Sequence, residues 1–135
     1  MTVEKGFELP GLTVTLKRED LVRYAGASGD FNPIHYSDRM ATALGLPGVI
    51  AHGMLTMAEA GRVVTDWLGD PSRLIEYGVR FVKPVPVPDD DTGAELRISA
   101  VVASVNDAEG TAEIDITTEF DGQKVLGRAR AVVKL

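Results

Sequence analysis

The side chains that could move protons are concentrated in one short segment of the chain. The chain has only two histidines, and His35 follows Asp30 by five residues, with the pair Asn32-Pro33 between them. A carboxylate beside an imidazole is a common pair for proton transfer near neutral pH. Proline fixes its own φ and disfavours a helical conformation in the residue before it, so this segment is predicted to be a turn. We therefore expect the Asp30 and His35 side chains to converge on one small volume.

The dipeptide His52-Gly53 is the second feature, because it precedes the longest apolar helical pattern in the chain. The first N–H groups of a helix have no intrahelical partner and carry partial positive charge. A glycine there lets a substrate oxygen approach those donors, which is how an oxyanion hole is often built. By spacing alone, His52 fits a capping or supporting residue, and Asp30 and His35 equally fit an ordinary turn with a structural histidine.

Other kinds of chemistry find less support in the sequence. The absence of cysteine excludes a disulfide framework, a thiolate zinc site and a cysteine nucleophile. Asp30, His35 and His52 lack a recognisable metal-ligand spacing, and the glycines form neither GxxxxGK[ST] nor GxGxxG. We therefore expect no metal and no cofactor.

Composition restricts the class of protein. A length of 135 residues with 44% hydrophobic and 25% charged residues is typical of one globular domain, here residues 1–135. A net charge of −6 argues against nucleic acid as a partner. The segment MTVEKGFELPGL does not resemble a signal peptide, and residues 46–60 are too short and too interrupted by charge to span a bilayer. We expect a cytoplasmic protein with no membrane partner.

The elements that position these residues can be predicted from local patterns. Alternation and β-branched residues predict five strands, at residues 12–16, 74–83, 94–105, 111–120 and 123–134. Helices are predicted at 18–27, after the cap Ser37, and at 54–67, where apolar residues cover most of the circumference and indicate burial. We expect Glu59 in that last helix to pair with Arg62 or Arg80. The prediction is an α+β fold, in which a curved antiparallel sheet of about five strands surrounds a long buried central helix.

A resemblance to a known family adds to this interpretation. The run YAGASGDFNPIHYSDRMA, residues 24–41, resembles the hydratase-2 signature of the MaoC-like enzymes. AHGMLTM resembles the start of that family's central helix, and EYGVRFVKPVPVP resembles the strand after it. The resemblance implies the hot-dog fold and a reversible dehydration of (3R)-3-hydroxyacyl thioesters to trans-2-enoyl thioesters. Within the family, GDFNPIH, AHGMLTM and WLGDP most resemble the catalytic B subunits of actinobacterial 3-hydroxyacyl-carrier-protein dehydratases.

The resemblance also implies roles for individual residues. Asp30 and His35 are expected to form a catalytic dyad, and the Gly53 N–H is expected to hold the thioester oxygen. The sequence leaves open which member of the dyad takes the α-proton. Further residues of the motif are expected to bind or orient the substrate or the turn: Asn32, Pro33, His52 and Met54.

The resemblance implies an acyl-CoA or acyl-carrier-protein substrate and a homodimer or a heterodimer with another hot-dog subunit. Two alternatives stay open, namely a hot-dog thioesterase and a non-catalytic acyl-binding or stabilising subunit of a heterodimeric dehydratase. Because both carriers are anionic and the chain is acidic, a local basic patch is expected, with Arg39, Arg73, Arg80 and Lys83 as candidates.

Overall fold

An antiparallel sheet curls around one long helix in the computed structural model, which describes residues 2–135. The strands lie in the order β1-β3-β4-β6-β2, and the short β5 pairs with β4. This arrangement confirms the predicted α+β class with its curved sheet. The strands are β1 (Leu12–Leu16), β2 (Leu74–Phe81), β3 (Ala94–Asn106), β4 (Thr111–Phe120), β5 (Gln123–Lys124) and β6 (Leu126–Lys134).

The strand predicted over residues 123–134 is interrupted at Val125, which is a correction to the sequence interpretation. Val125 is buried, and its N–H donates to the carbonyl of Thr118 at 3.0 Å. Its own carbonyl accepts from the N–H groups of Val82 and Lys83 at 3.1 and 3.3 Å. The chain therefore changes partners at Val125, and this change ties the segment after β2 to the sheet.

The central helix α3 (Gly53–Leu68) is buried as predicted and starts one residue earlier than the apolar pattern suggested. Val63 and Val64 are almost fully buried against the sheet, and burial of such a side chain contributes about 1.5–3 kcal/mol. Gly61 lets β2 approach, because a Cβ there would lie 3.0 Å from the Tyr77 ring. The Tyr77 hydroxyl donates to the Met57 carbonyl at 2.7 Å, and burial raises the pKa of Tyr77 to about 12. The start of α3 is thus held in a fixed position relative to β2.

Two short helices flank the bend that carries the candidate residues. Helix α1 (Arg18–Ser28) ends at Gly29, whose left-handed φ of 77° lets its N–H donate to Ala25 O. Helix α2 (Asp38–Ala43) begins at the predicted cap Ser37, whose hydroxyl accepts from the Met40 N–H at 3.2 Å. Both helix ends use interactions between residues close in sequence, which is why the pattern predicted them.

The two edges of the sheet are β1 and β2. The β2 edge carries large exposed apolar side chains, including Ile75 and Phe81, each more than half exposed. Among residues 2–135, no helix has the length and apolar character needed to cross a bilayer.

Candidate active site

The bend between α1 and α2 is fixed by two side chains, each of which accepts a hydrogen bond from the backbone N–H two residues later in the chain. Asp30 Oδ1 accepts from the Asn32 N–H at 3.1 Å, and Asn32 Oδ1 accepts from the Ile34 N–H at 3.2 Å. Residues Pro33–His35 then form a single 3₁₀ turn. These successive turns of the Asx type leave Asp30 Oδ2 without a backbone donor and direct it toward His35.

The His35 ring is held by one hydrogen bond from the side opposite to Asp30. Its Nδ1 lies 2.7 Å from the carbonyl oxygen of Ile50, so Nδ1 carries the proton and donates it. In the neutral ring, Nε2 therefore carries the lone pair. That nitrogen is 3.8 Å from Asp30 Oδ2, which is too far for a hydrogen bond. The two groups face a common space, with His35 buried and the Asp30 side chain 49% exposed.

His52 lies behind this pair and does not line the cavity. Its ring is 1% exposed, and its Nε2 donates to the main-chain carbonyl of Asp30 at 3.2 Å. It stacks on His35 with a centroid separation of 3.8 Å and contacts Tyr24 edge-on at 4.7 Å. Burial lowers the pKa of His52, and the charge of a protonated His35 lowers that pKa further. The structure thus places His52 against Asp30 and His35, and its expected substrate contact stays a prediction.

The N-terminus of α3 supplies unpaired N–H groups beside Asp30 and His35. The His52 carbonyl accepts from Leu55 and Thr56, at 3.0 and 3.1 Å, so the first intrahelical bonds start beyond Gly53. No acceptor within residues 2–135 binds the Gly53 N–H. A Cβ on Gly53 would lie 3.0 Å from ring atoms of Phe81, which packs directly over it. Glycine thus lets the Phe81 ring lie this close to the start of α3.

A largely apolar cavity of about 420 Å³ connects these groups. Of the candidate residues, Asp30, His35, Gly53 and Met54 line it, whereas Asn32 and Pro33 shape the turn outside it. Their catalytic and substrate-binding roles stay predictions. Sequence reasoning missed the opposite wall, because that wall comes from distant segments. It is formed by Phe81, Val82, Lys83, Pro84, Val85, Val125 and Leu126. The cavity is also lined by Ile34, Ile50, Ala51 and Thr56.

Asp30, His35 and His52 each offer a potential ligand atom, and these atoms lie within 4.8 Å of one another. The two imidazole planes are only 24° apart and stacked, so their in-plane lone pairs do not converge on one point. A tetrahedral metal site needs such convergence. The geometry therefore does not fit a metal well, and the expectation of no metal stays a prediction.

The four candidate cations of a basic patch do not form one group. Lys83 lines the cavity, whereas Arg73 lies at the far end of β2, where its Nε donates to the Lys134 carbonyl at 2.8 Å. The two ends of β2 are roughly 23 Å apart at a rise of about 3.3 Å per residue.

Glu59 in α3 pairs with Arg62, one of the two partners expected for it, at 2.7 Å.

Comparison with known proteins gives the following matches. A family model described as MaoC like domain matches residues 2–123. The 3-hydroxyacyl-thioester dehydratase X of Mycobacterium tuberculosis is 39% identical over 79 residues, which are 58% of this chain and 27% of that protein. The fatty acid synthase subunit beta of Saccharomyces cerevisiae is 42% identical over 64 residues, which are 46% of this chain and 3% of that protein. The matched segments thus span less than a third of these relatives' own length.

Solved structures show the same fold. A MaoC-like dehydratase is 38% identical with a TM-score of 0.95, covering 98% of this chain and 41% of that chain. The (R)-hydratase from A. caviae involved in PHA biosynthesis is 22% identical with a TM-score of 0.86, covering 99% and 98%. These matches confirm the predicted family resemblance and the hot-dog fold, while the resemblance to B subunits stays a prediction.

Proposed function

Since the chain belongs to the MaoC-like domain family, we propose that it catalyses the reversible dehydration of (3R)-3-hydroxyacyl thioesters to trans-2-enoyl thioesters. One observation carries the proposal: His35 Nε2 and Asp30 Oδ2 face one cavity, 3.8 Å apart, beside the unpaired N–H of Gly53. The name of the mycobacterial relative supports the substrate class. CoA or the pantetheine arm of a carrier protein would carry the acyl group.

His35 acts as the base that removes the α-proton in this proposal. The hydrogen bond to the Ile50 carbonyl keeps the Nδ1–H in place, which leaves the Nε2 lone pair facing the cavity. General-base catalysis of this kind contributes about 10²- to 10⁴-fold in rate. The electrons of the broken Cα–H bond move toward the thioester carbonyl as negative charge develops on its oxygen.

The Gly53 N–H donates a hydrogen bond to the thioester oxygen on which this negative charge develops. Its position at the first residue of α3 adds the partial positive charge of the helix N-terminus. Because the α-proton of a thioester is weakly acidic, this contribution must be large. One well-placed donor contributes about 3 kcal/mol of transition-state stabilisation.

Asp30 holds the β-hydroxyl group in this mechanism. Its carboxylate accepts a hydrogen bond from that hydroxyl, and the imidazolium of His35 then donates its Nε2 proton to the departing oxygen. The Cβ–O bond breaks, the Cα=Cβ double bond forms, and water leaves with the proton that came from Cα. The short separation of the two groups supports loss of both the proton and the hydroxyl group from one face of the substrate, which is a syn elimination.

A second subunit completes the site in our proposal. The cavity wall formed by Phe81 and Val82 lies at the open β2 edge, where both side chains are more than half exposed. Pairing at this edge, with a second copy or another hot-dog subunit, would cover them and lead the acyl chain along α3. Lys83 at the cavity is then available to an anionic phosphate of the carrier.

The two alternatives make different predictions. A thioesterase would release free thiol, and a non-catalytic subunit would be inactive alone and insensitive to changes at the dyad. The dyad, the Gly53 N–H and the cavity are all present together in this chain, which favours the catalytic role over the non-catalytic one.

Hydration of crotonyl-CoA by the purified protein tests the proposal. We expect a product heavier by one water, with the (3R) configuration at the β-carbon and no free thiol. Thiol release without hydration would indicate the thioesterase. Inactivity of the protein alone and with its hot-dog partner, on CoA and carrier-protein substrates, would overturn the proposal.

A further inference from the structure

We infer that His52 is a positioning residue that holds both members of the dyad, an inference that rests on the proposed function. It holds Asp30 by a hydrogen bond to the main chain and His35 by ring stacking. His52 itself does not line the cavity, so it acts through these two residues rather than on the substrate.

The hydrogen bond to Asp30 fixes the exposed side of the bend to the protein interior. The residues from Gly29 to Asn32 are all exposed, and their other hydrogen bonds come from neighbours in sequence. The Nε2–H of His52, 22 residues further along the chain, is a long-range contact from a buried side chain. It therefore fixes where the Asp30 carboxylate stands relative to the start of α3.

The stacked face of the ring fixes His35. The Ile50 carbonyl restrains His35 within the plane of its ring, whereas the His52 face restrains it perpendicular to that plane. Tyr24 in turn packs edge-on against His52. The His52 imidazole thus donates a hydrogen bond to Asp30 and offers a flat surface to His35.

The second ring nitrogen explains why His52 stays neutral. Its Nδ1 is buried, and no residue within 2–135 hydrogen-bonds to it. Protonation would create an N–H without an acceptor at a ring that is 1% exposed. The titratable groups that contact it are His35, Asp30 through its carbonyl, and Tyr24. His52 therefore keeps the tautomer with the proton on Nε2 while His35 gains and loses its proton.

Two substitutions separate the donor from the ring. H52F keeps a flat ring but removes the donor, whereas H52Q keeps an N–H near the position of Nε2 but removes the ring. For H52F we expect kcat to fall about 100-fold with little change in KM, because a displaced catalytic group loses its alignment. We expect kcat of H52Q to be about tenfold higher than kcat of H52F.

The matched control is T118V, which removes another buried side-chain polar atom that has no partner and does not line the cavity. We expect it to keep wild-type kcat. Wild-type kcat in H52F would overturn the inference. An equal loss in H52F and H52Q, with both variants folded by circular dichroism, would also overturn the role of the donor.

A measurement without substrate keeps the inference separate from the proposed function. Because the chain has only two histidines, its imidazole ¹⁵N spectrum contains two sets of signals. We expect His52 to remain neutral with Nε2 protonated between about pH 5 and pH 8. A proton on Nδ1, or a charged ring in that range, would overturn the inference. Failure of crotonyl-CoA hydration alone would instead overturn the proposed function.

Discussion

Asp30 and Asp38 lie at the two ends of the same bend, yet the structure uses their carboxylates in opposite ways. Asp38 accepts from the Val49 N–H at 2.9 Å and from the Arg18 guanidinium at 2.9 and 3.1 Å. The hydrogen bond from Val49 and then that from Arg18 lower the pKa of Asp38. Asp30 accepts one backbone hydrogen bond, and its second oxygen faces His35 across the cavity.

The difference shows how a structural carboxylate can be told from a candidate catalytic one. Asp38 has its oxygens occupied by donors of its own chain, so it joins α1, α2 and the segment before α3. Asp30 keeps an oxygen available to a ligand. We therefore expect changes at Asp30 and His35 to affect activity, and changes at Asp38 to affect stability.

The largest expected effect is that of H35A. Removing the imidazole removes the proposed base, so kcat for crotonyl-CoA hydration should fall about 10³-fold. Initial rates with saturating substrate measure it. A fall of less than about tenfold would place the base elsewhere.

D30N should lower kcat by about 10²-fold, because the amide no longer offers a carboxylate to the β-hydroxyl and the imidazolium. D38N is the matched control, since it makes the same chemical change on the other side of the bend. We expect near wild-type kcat for D38N. Equal losses of kcat in the two variants would remove the distinction drawn between the two aspartates.

G53A should lower kcat about tenfold, because its Cβ would meet the Phe81 ring at 3.0 Å and move it within the site. Phe81 is 55% exposed, so its ring has room to move without loss of the fold. F81L in the G53A background should restore part of the rate. If F81L has no effect there, the contact between the two residues does not explain the loss.

D38A should lower the free energy of unfolding by about 1 kcal/mol, since it removes a partly exposed ion pair and a backbone hydrogen bond. The pKa of Asp38 in the folded protein is below its ordinary value of 3.8. The stabilisation from Asp38 is therefore complete above that value and is lost as the pH falls through the folded-state pKa. Urea unfolding at several pH values measures this. The difference from wild type should be constant above about pH 5 and shrink below 3.8. A difference independent of pH would contradict this assignment.

Local interactions account for the parts that were predicted well. The strands Leu12–Leu16 and Thr111–Phe120 have the predicted bounds, because alternation marks them within a few residues. The buried helix and the bend from Asp30 to His35 follow from equally local patterns. The interruption at Val125 was missed, because it depends on hydrogen bonds to Thr118 and Val82 in other parts of the sheet.

By itself, the sequence determined that a carboxylate and an imidazole share a bend, and that a glycine begins the buried helix. The tertiary structure decided which atoms meet: the hydrogen bond from His52 to the Asp30 carbonyl, the Phe81 ring over Gly53, and the donors around Asp38. The physical reason is the separation in sequence between the residues that interact. Turns and caps are made by neighbouring residues, whereas these contacts exist only after the sheet has curled around α3 and brought distant segments together.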